Sequence, residues 1–166
     1  MILLGSIVNG GAVVVGGLVG MFVGKLLPER LRTSVMAALS LMTIGIAVPG
    51  LLKSNNALIP IISMVVGTLI GELLDIDSAV NKLGEKLQKR FSGSRVTEGF
   101  VTGSLVFAVG ALAVMGPLES GLQHQHSLLF SKSVIDGVAS IVFASTMGLG
   151  VALSGITVFV VEGSIA

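Results

Sequence analysis

Residues 1–24, MILLGSIVNGGAVVVGGLVGMFVG, contain no charged side chain, and the first charge in the chain is Lys25. A helix of about 20 apolar residues crosses the hydrocarbon core of a bilayer, so this stretch is long enough to span it. It has no basic residue before its apolar run, and it is longer than the apolar region of a signal peptide. We therefore expect an N-terminal transmembrane helix that stays in the mature protein.

The composition of the whole chain supports the same assignment. Of its 166 residues, 52% are hydrophobic and only 11% are charged, and the mean hydropathy is +0.99. Soluble domains have about 25% charged residues, so this chain has too little polar surface for a soluble globular fold. Cysteine is absent, which excludes disulfides, thiolate metal sites and cysteine nucleophiles.

Four further apolar segments follow the first one. Because a spanning backbone must satisfy its own hydrogen bonds in lipid, each segment is predicted to be a helix. The predicted fold class is an all-α, polytopic helical membrane protein that forms a single domain over residues 1–166. The predicted spans lie at about residues 3–26, 34–52, 57–75, 99–118 and 134–161.

The positive charges are distributed unequally between the gaps that separate the spans. The first gap holds three Lys and Arg residues and the third holds five, whereas the second and fourth hold one lysine each. Lys and Arg concentrate in cytoplasmic loops. We therefore expect the first and third gaps to be cytoplasmic, the N-terminus to lie outside and, with five spans, the C-terminus to lie inside.

An amphipathic helix is predicted in the third gap, over residues 77–91. Its apolar residues recur at helical spacing, and its charged residues take the opposite side. We expect it to lie on the cytoplasmic leaflet with its basic face near anionic head groups. A short soluble helix packed on the ends of the spans is the alternative. The apolar residues are Val80, Leu83, Leu87 and Phe91.

Glycine recurs every four positions on two of the predicted spans. Such stripes of small residues allow helix backbones to approach closely in lipid. The pattern predicts either a seam between the protomers of a homo-oligomer or tight packing within one protomer, and the sequence leaves both open. The glycines are Gly16, Gly20 and Gly24 on the first span and Gly67 and Gly71 on the third.

Polar residues inside the spans are the candidates for function, because ionisable groups are costly in lipid. Asp136 lies near the outer end of the fifth span, and a line of hydroxyls followed by glycines continues inward from it. This pattern favours a solute or ion path. An ion pair with Lys132, one turn earlier, is the alternative explanation of Asp136. The candidate path residues are Asp136, Ser140, Ser145, Thr146, Glu72 and Asn9.

Several of these polar residues have simpler explanations. Glu72 shares a helical face with Asp75 near the cytoplasmic end of the third span, where basic residues can neutralise it. Asn9 is of the type that serves as a hydrogen-bond clamp between helices. His124 and His126 lie two positions apart with no evident third ligand, so we expect no metal site.

Enzyme signatures are absent from the sequence, including GxxxxGK[ST], HExxH and GxSxG. We therefore expect no enzyme activity and no cofactor. The basic residues lie at the predicted membrane flanks rather than in one patch, so nucleic-acid binding is not expected either. The expected partners are the lipid bilayer and other copies of the chain.

Four stretches of the chain resemble a known family. They are GSIVNGGAVVVGGLVG (5–20), NNALIPIISMVVGTLIGELLDID (55–77), RVTEGFVTGSLVFAVGALAVMGPLESGL (95–122) and HSLLFSKSVIDGVASIVFASTMGLGV (126–151). In this order they are similar to the YqgA/YdfK family of bacterial inner-membrane proteins, a domain of unknown function.

The resemblance implies a multi-pass protein of the bacterial plasma membrane. Members usually continue past the fifth span for about two more helices, so we expect this chain to be a short member, a truncated chain or a partial gene product that lacks them. The family also carries the polar motif that occurs here at Ser133, Asp136, Gly137 and Ser140.

Together these observations predict an oligomeric small-solute or ion transporter, or a channel-like protein, with a path along the fifth span. The alternative is a non-transporting assembly or regulatory subunit. Such a subunit would bind an unidentified membrane protein through its glycine-rich helix faces.

Overall fold

A computed structural model describes residues 3–52, 58–75, 78, 82 and 94–166. These residues form seven α-helices and one short 3-10 helix, Gly24–Leu26. The predicted amphipathic helix lies almost entirely outside the described residues and stays a prediction. The α-helices are α1 Leu4–Val23, α2 Glu29–Leu52, α3 Leu58–Leu74, α4 Ser94–Ala108, α5 Ala111–Gln123, α6 Ser127–Met147 and α7 Leu149–Ile165.

Three of the helices are long and apolar enough to cross a membrane, namely α1, α2 and α6. The pair α4 and α5 passes the same test when it is taken as one broken span. The apolar helices α3 and α7 have 17 residues each, which corresponds to about 25 Å at 1.5 Å per residue. The number of membrane crossings and the orientation of the chain stay predictions.

Helix α1 is the central element, and its glycines allow close contact with two other helices. Gly5 lies against Leu129 at one end of α6, and Gly24, directly after α1, lies against Ser145 at the other end, so α1 and α6 run parallel. The order is reversed along α7. Gly17 lies against Ala152 near the start of α7, and Gly163 near its end lies beside Leu3, the residue that precedes α1.

The predicted fifth span, residues 134–161, is therefore not one continuous helix. It is the central part of a hairpin in which α6 and α7 run in opposite directions. The turn is at Gly148, whose φ of 72° and ψ of −146° belong to a region that only glycine occupies readily. The predicted single span placed these glycines along the path that continues inward from Asp136, and it missed the reversal of direction.

The hairpin also corrects the expected position of the C-terminus. Leu3 lies near Gly163, and Ala166 lies against Gly121. Both ends of the chain are thus at the same end of the helix bundle. The expectation that the N-terminus and the C-terminus lie on opposite sides of the membrane does not fit this arrangement, because the last predicted span turns back.

The predicted fourth span, residues 99–118, is broken as well. Helices α4 and α5 are bent by 56° at Val109 and Gly110. Gly110 has a φ of 155°, which an L side chain rarely adopts. The break leaves the last carbonyl groups of α4 in the interior of the bundle, where helix ends need other hydrogen-bond partners.

The apolar core lies between α1, α4, α6 and α7. Val13, Val151 and Val158 are fully buried, and the ring of Phe107 packs edge to face on Phe143 with 6.0 Å between the centroids. Helix α3 contributes no buried residue, and α2 only half-buried ones that pack at the edge of the core. The interior of the described bundle is thus built by the first helix and the last four.

Candidate functional site

Four polar side chains meet in the interior of this bundle. Asn9 comes from α1, Lys132 and Asp136 come from α6, and Glu162 comes from α7. Their exposed fractions are 0%, 5%, 6% and 0%, respectively. We call them the buried polar cluster. Ionisable residues at such positions in a membrane protein are expensive and mark functional sites by default.

The ammonium group of Lys132 is at the centre of the buried polar cluster. Its Nζ donates a hydrogen bond of 2.7 Å to the carbonyl oxygen of Phe107, and it also donates to Oδ2 of Asp136. Oε1 of Glu162 lies 3.2 Å from the same Nζ. The ammonium thus has two hydrogen-bond acceptors and a second carboxylate within ion-pair distance.

The break in the α4–α5 pair explains one of these contacts. Phe107 lies in the last turn of α4, where carbonyl groups lack partners within the helix. The C-terminal end of a helix carries a partial negative charge, which attracts a cation. Lys132 therefore joins α6 to the last turn of α4, where the backbone carbonyl groups have no hydrogen-bond donor within the helix.

Asn9 links the first helix to both carboxylates. Its Nδ2 donates to Oε1 of Glu162 over 2.7 Å and to Oδ2 of Asp136 over 3.1 Å. Two oxygens of the cluster, Asn9 Oδ1 and Glu162 Oε2, are buried without a hydrogen-bond partner among the described residues. The cluster is thus rich in hydrogen-bond acceptors.

The charges of the buried polar cluster do not balance. With all groups ionised, two carboxylates face one ammonium, so the cluster carries a net charge of −1. An uncompensated buried ion costs several kcal/mol even after relaxation of its surroundings. The arrangement therefore favours a bound proton or cation as the missing positive charge.

The structure brings two of the predicted path residues together and leaves the hydroxyls apart. Asn9 and Asp136 are in the cluster. The hydroxyls of Ser140, Ser145 and Thr146 each donate to a carbonyl of α6 itself, over 2.8, 2.6 and 2.9 Å, respectively. The hydroxyls are thus satisfied within α6 and do not extend the cluster inward.

The remaining candidate, Glu72, lies exposed on α3, outside the helices that form the cluster.

The two loop histidines differ in their surroundings. His126 Nδ1 lies 2.8 Å from the hydroxyl of Ser120, whereas His124 ends α5 in a left-handed conformation. A cavity of about 100 Å³ lies between the start of α2 and α6, and its lining is apolar except for Arg32.

The two glycine stripes have different surroundings. A Cβ at Gly16, Gly20 or Gly24 would collide with α6 of the same chain. At Gly67 and Gly71, in contrast, a Cβ would meet no atom of the described residues within 4 Å. The first stripe thus packs within one protomer, and the second is open.

Glu162 is the cluster residue that the sequence analysis missed. The last predicted span ended at residue 161, which placed this glutamate just outside the membrane. Residues 137–161 are uncharged, so Glu162 and Asp136 are the two carboxylates that flank one long apolar segment. Only the turn at Gly148 shows that such flanking residues meet.

Comparisons with known proteins agree with the sequence and the fold. The model of the family described as "Protein of unknown function (DUF554)" matches residues 4–166. The chain is 29% identical over 167 residues to "Uncharacterized membrane protein YdfK" of Bacillus subtilis (strain 168), covering 98% of this chain and 71% of the relative. It is 26% identical over 170 residues to "Uncharacterized protein YqgA" of Escherichia coli (strain K12), covering 98% and 72%.

No solved structure matches the chain. The family match confirms the resemblance drawn from the four sequence stretches, and it extends over nearly the whole chain. The relative's name and the apolar helices agree with the predicted multi-pass membrane location. The chain is therefore a multi-pass membrane protein that belongs to the DUF554 family.

Proposed function

We propose that the protein transports a small solute or an ion, with the buried polar cluster as its binding site. The observation that carries this proposal is the burial of Lys132, Asp136 and Glu162 in the interior of a membrane bundle. A structural ion pair would need only one carboxylate for one ammonium. The additional carboxylate is the feature that a purely structural role leaves unexplained.

The breaks in the surrounding helices support the same proposal. Secondary transporters commonly place substrate and ion sites where spanning helices are discontinuous, because the freed backbone groups can bind the cargo. Here the α4–α5 break supplies the carbonyl of Phe107, and the cluster lies against it. The proposed path therefore centres on the cluster rather than on the hydroxyl line of α6.

A flux assay on the full chain in liposomes tests this proposal. We expect uptake of at least one solute from a panel of sodium, chloride, phosphate, amino acids and monosaccharides. Asp136→Asn should abolish that uptake, because it removes the carboxylate closest to Lys132. Ser131→Ala is the matched control on the same helix, since this exposed hydroxyl bonds only to the carbonyl of Ser127.

Uptake that is equal in the wild type and in Asp136→Asn would contradict the proposal, provided that both proteins insert equally. Absence of uptake for every solute in the panel would also count against it. Such a result would favour the second candidate function.

The second candidate is a non-transporting assembly or regulatory subunit. The open glycines Gly67 and Gly71 on α3 favour it, because α3 has no buried residue and small-residue stripes promote helix association in lipid. The partner would be a second copy of the chain or another membrane protein. A homo-oligomer that assembles through α3 is also compatible with transport.

Cross-linking in intact membranes tests this association. Gly71→Leu should reduce the cross-linked complexes, because a large side chain keeps the helices apart. Gly11→Leu, at an exposed position of α1 with open space around it, is the control. Complexes that survive Gly71→Leu unchanged would exclude this face as the contact.

A further inference from the structure

Two atoms of the buried polar cluster point to the ligand that completes it. Asn9 Oδ1 and Glu162 Oε2 are both buried acceptors without a partner among the described residues. They belong to the two groups that the 2.7 Å bond from Asn9 Nδ2 to Glu162 Oε1 already joins. The carboxamide of Asn9 and the carboxylate of Glu162 therefore each have one polar atom that is hydrogen-bonded to the other group and one oxygen that has no hydrogen-bond partner among the described residues.

A proton satisfies both leftover atoms at once. A carboxylic acid has an O–H donor in addition to its acceptor oxygen, and a carboxamide has both a donor and an acceptor. Acid and amide can therefore form two parallel hydrogen bonds, of which the structure shows one. Protonation of Glu162 Oε2 would supply the donor for Asn9 Oδ1, and it would also neutralise the excess charge of the cluster.

The contacts indicate which carboxylate carries the proton. Lys132 and Asp136 lie one turn apart on α6 and are hydrogen-bonded, whereas Lys132 Nζ and Glu162 Oε1 form an ion pair at 3.2 Å. Glu162 accepts both of its contacts through Oε1 and is fully buried. The one ammonium can neutralise one carboxylate; it is hydrogen-bonded to Asp136, and Glu162 is the carboxylate with an oxygen, Oε2, that has no donor among the described residues.

The other described charged groups on the neighbouring helices bring no second positive charge to Glu162. Helix α6 provides Lys132 and Asp136, and α1 has no titratable side chain within its bounds. Helix α5 provides the half-buried Glu119, which adds no positive charge. The charged residues of α4, Arg95 and Glu98, lie in its first two turns, whereas the cluster contacts its last turn.

We infer that the buried polar cluster takes up and releases one proton, which Glu162 Oε2 holds and shares with the carbonyl oxygen of Asn9. With the proton bound, the cluster is neutral; its release to the solution leaves a net charge of −1. In a transporter, such a site would couple solute movement to a proton gradient. This role of the proton rests on the proposed function. The protonation state itself is measurable without any solute.

Infrared spectroscopy of the purified full chain tests this assignment. We expect the wild type at neutral pH to show a carboxylic acid C=O band that shifts in D2O and disappears at alkaline pH. Glu162→Gln should remove the band, whereas Glu98→Gln, at an exposed position of α4, should leave it unchanged. Labelling all glutamates with ¹³C should shift the band in the wild type, so the test does not depend on the folding of a variant.

Three results would overturn the inference. They are the absence of the band at neutral pH, a shift of the band with ¹³C-aspartate instead of ¹³C-glutamate, and loss of the band when sodium is added at constant pH. The last result would assign the site to a metal cation. If the band is present but no flux occurs in liposomes, transport is refuted and proton binding is not. If flux occurs but the band is absent, proton binding is refuted and transport is not.

Discussion

At the residue scale, the buried polar cluster is a set of groups that stabilise one another only together. Lys132 contacts both carboxylates, and Asn9 donates to the same two groups. Replacing a whole buried ionic group by apolar residues is often tolerated, but removing one partner leaves an uncompensated charge. Single substitutions in the cluster should therefore be more harmful than combined ones.

Lys132→Met should destabilise the folded protein by about 3–5 kcal/mol, because it leaves the carboxylate of Asp136 buried without a cation. Adding Asp136→Asn and Glu162→Gln to this variant should recover part of the loss. Thermal unfolding in detergent, followed by size-exclusion chromatography, measures the effect. Arg30→Met, at an exposed position of α2, is the control. A Tm for Lys132→Met equal to that of this control would refute the expected role of the lysine.

At the element scale, the bundle depends on how closely α1 approaches α6. Gly16 faces Ser140 and the backbone of Gly137, so the two helix backbones nearly touch there. Close packing of this kind replaces the hydrophobic effect as the force that joins helices in lipid. The glycines of α1 therefore determine the position of the helix that carries Asn9.

Gly16→Leu should lower the free energy of unfolding by about 1–3 kcal/mol, the typical cost of overpacking. Gly11→Leu, on the exposed side of the same helix, should have a small effect because nothing lies within 4 Å of its Cβ position. The yield of monodisperse protein and its Tm measure both. Equal yields and equal Tm values for the two variants would show that α1 and α6 can move apart without loss of stability.

Gly148→Ala should also destabilise the fold, by roughly 1–3 kcal/mol, because the backbone at the α6–α7 turn is open almost only to glycine. Gly45→Ala serves as the control, since Gly45 is helical with open space around it. Thermal unfolding compares the two. A Tm for Gly148→Ala at or above the wild-type value would mean that the turn has another conformation.

At the scale of the whole molecule, the hairpin of α6 and α7 places both chain ends at one end of the bundle. The basic residues after α1 lie at the opposite end, which the positive-inside rule predicts to be cytoplasmic. The cluster lies nearer the end with the termini, because Asn9 is five residues into α1, about 7.5 Å below its first residue. The proposed proton site therefore faces the predicted outer side.

Labelling of single cysteines tests this topology, and the absence of native cysteine makes the experiment clean. Ala166→Cys and His124→Cys should react with a membrane-impermeant maleimide from the same side of the membrane. Arg30→Cys should react only from the other side. Whole cells and inverted vesicles distinguish the two sides. Reaction of Ala166→Cys from the side of Arg30→Cys would contradict the hairpin and restore the continuous fifth span.

The amino-acid sequence alone was enough to identify a helical membrane protein of a known family. Uninterrupted apolar runs admit only structures that satisfy their own backbone hydrogen bonds, and that requirement is local. It also singled out Asn9 and Asp136, because polar groups within apolar runs are visible without a structure.

The partners of these residues follow from the packing of the helices and not from the sequence pattern. The positive φ at Gly148 turns one predicted span into two antiparallel helices, and it brings Glu162 to Lys132 and Asp136. The break at Gly110 likewise exposes the carbonyl of Phe107 to the lysine. Hydropathy depends on side-chain composition and does not register the backbone angle of a single glycine, whereas the partners of a buried charge depend on that angle.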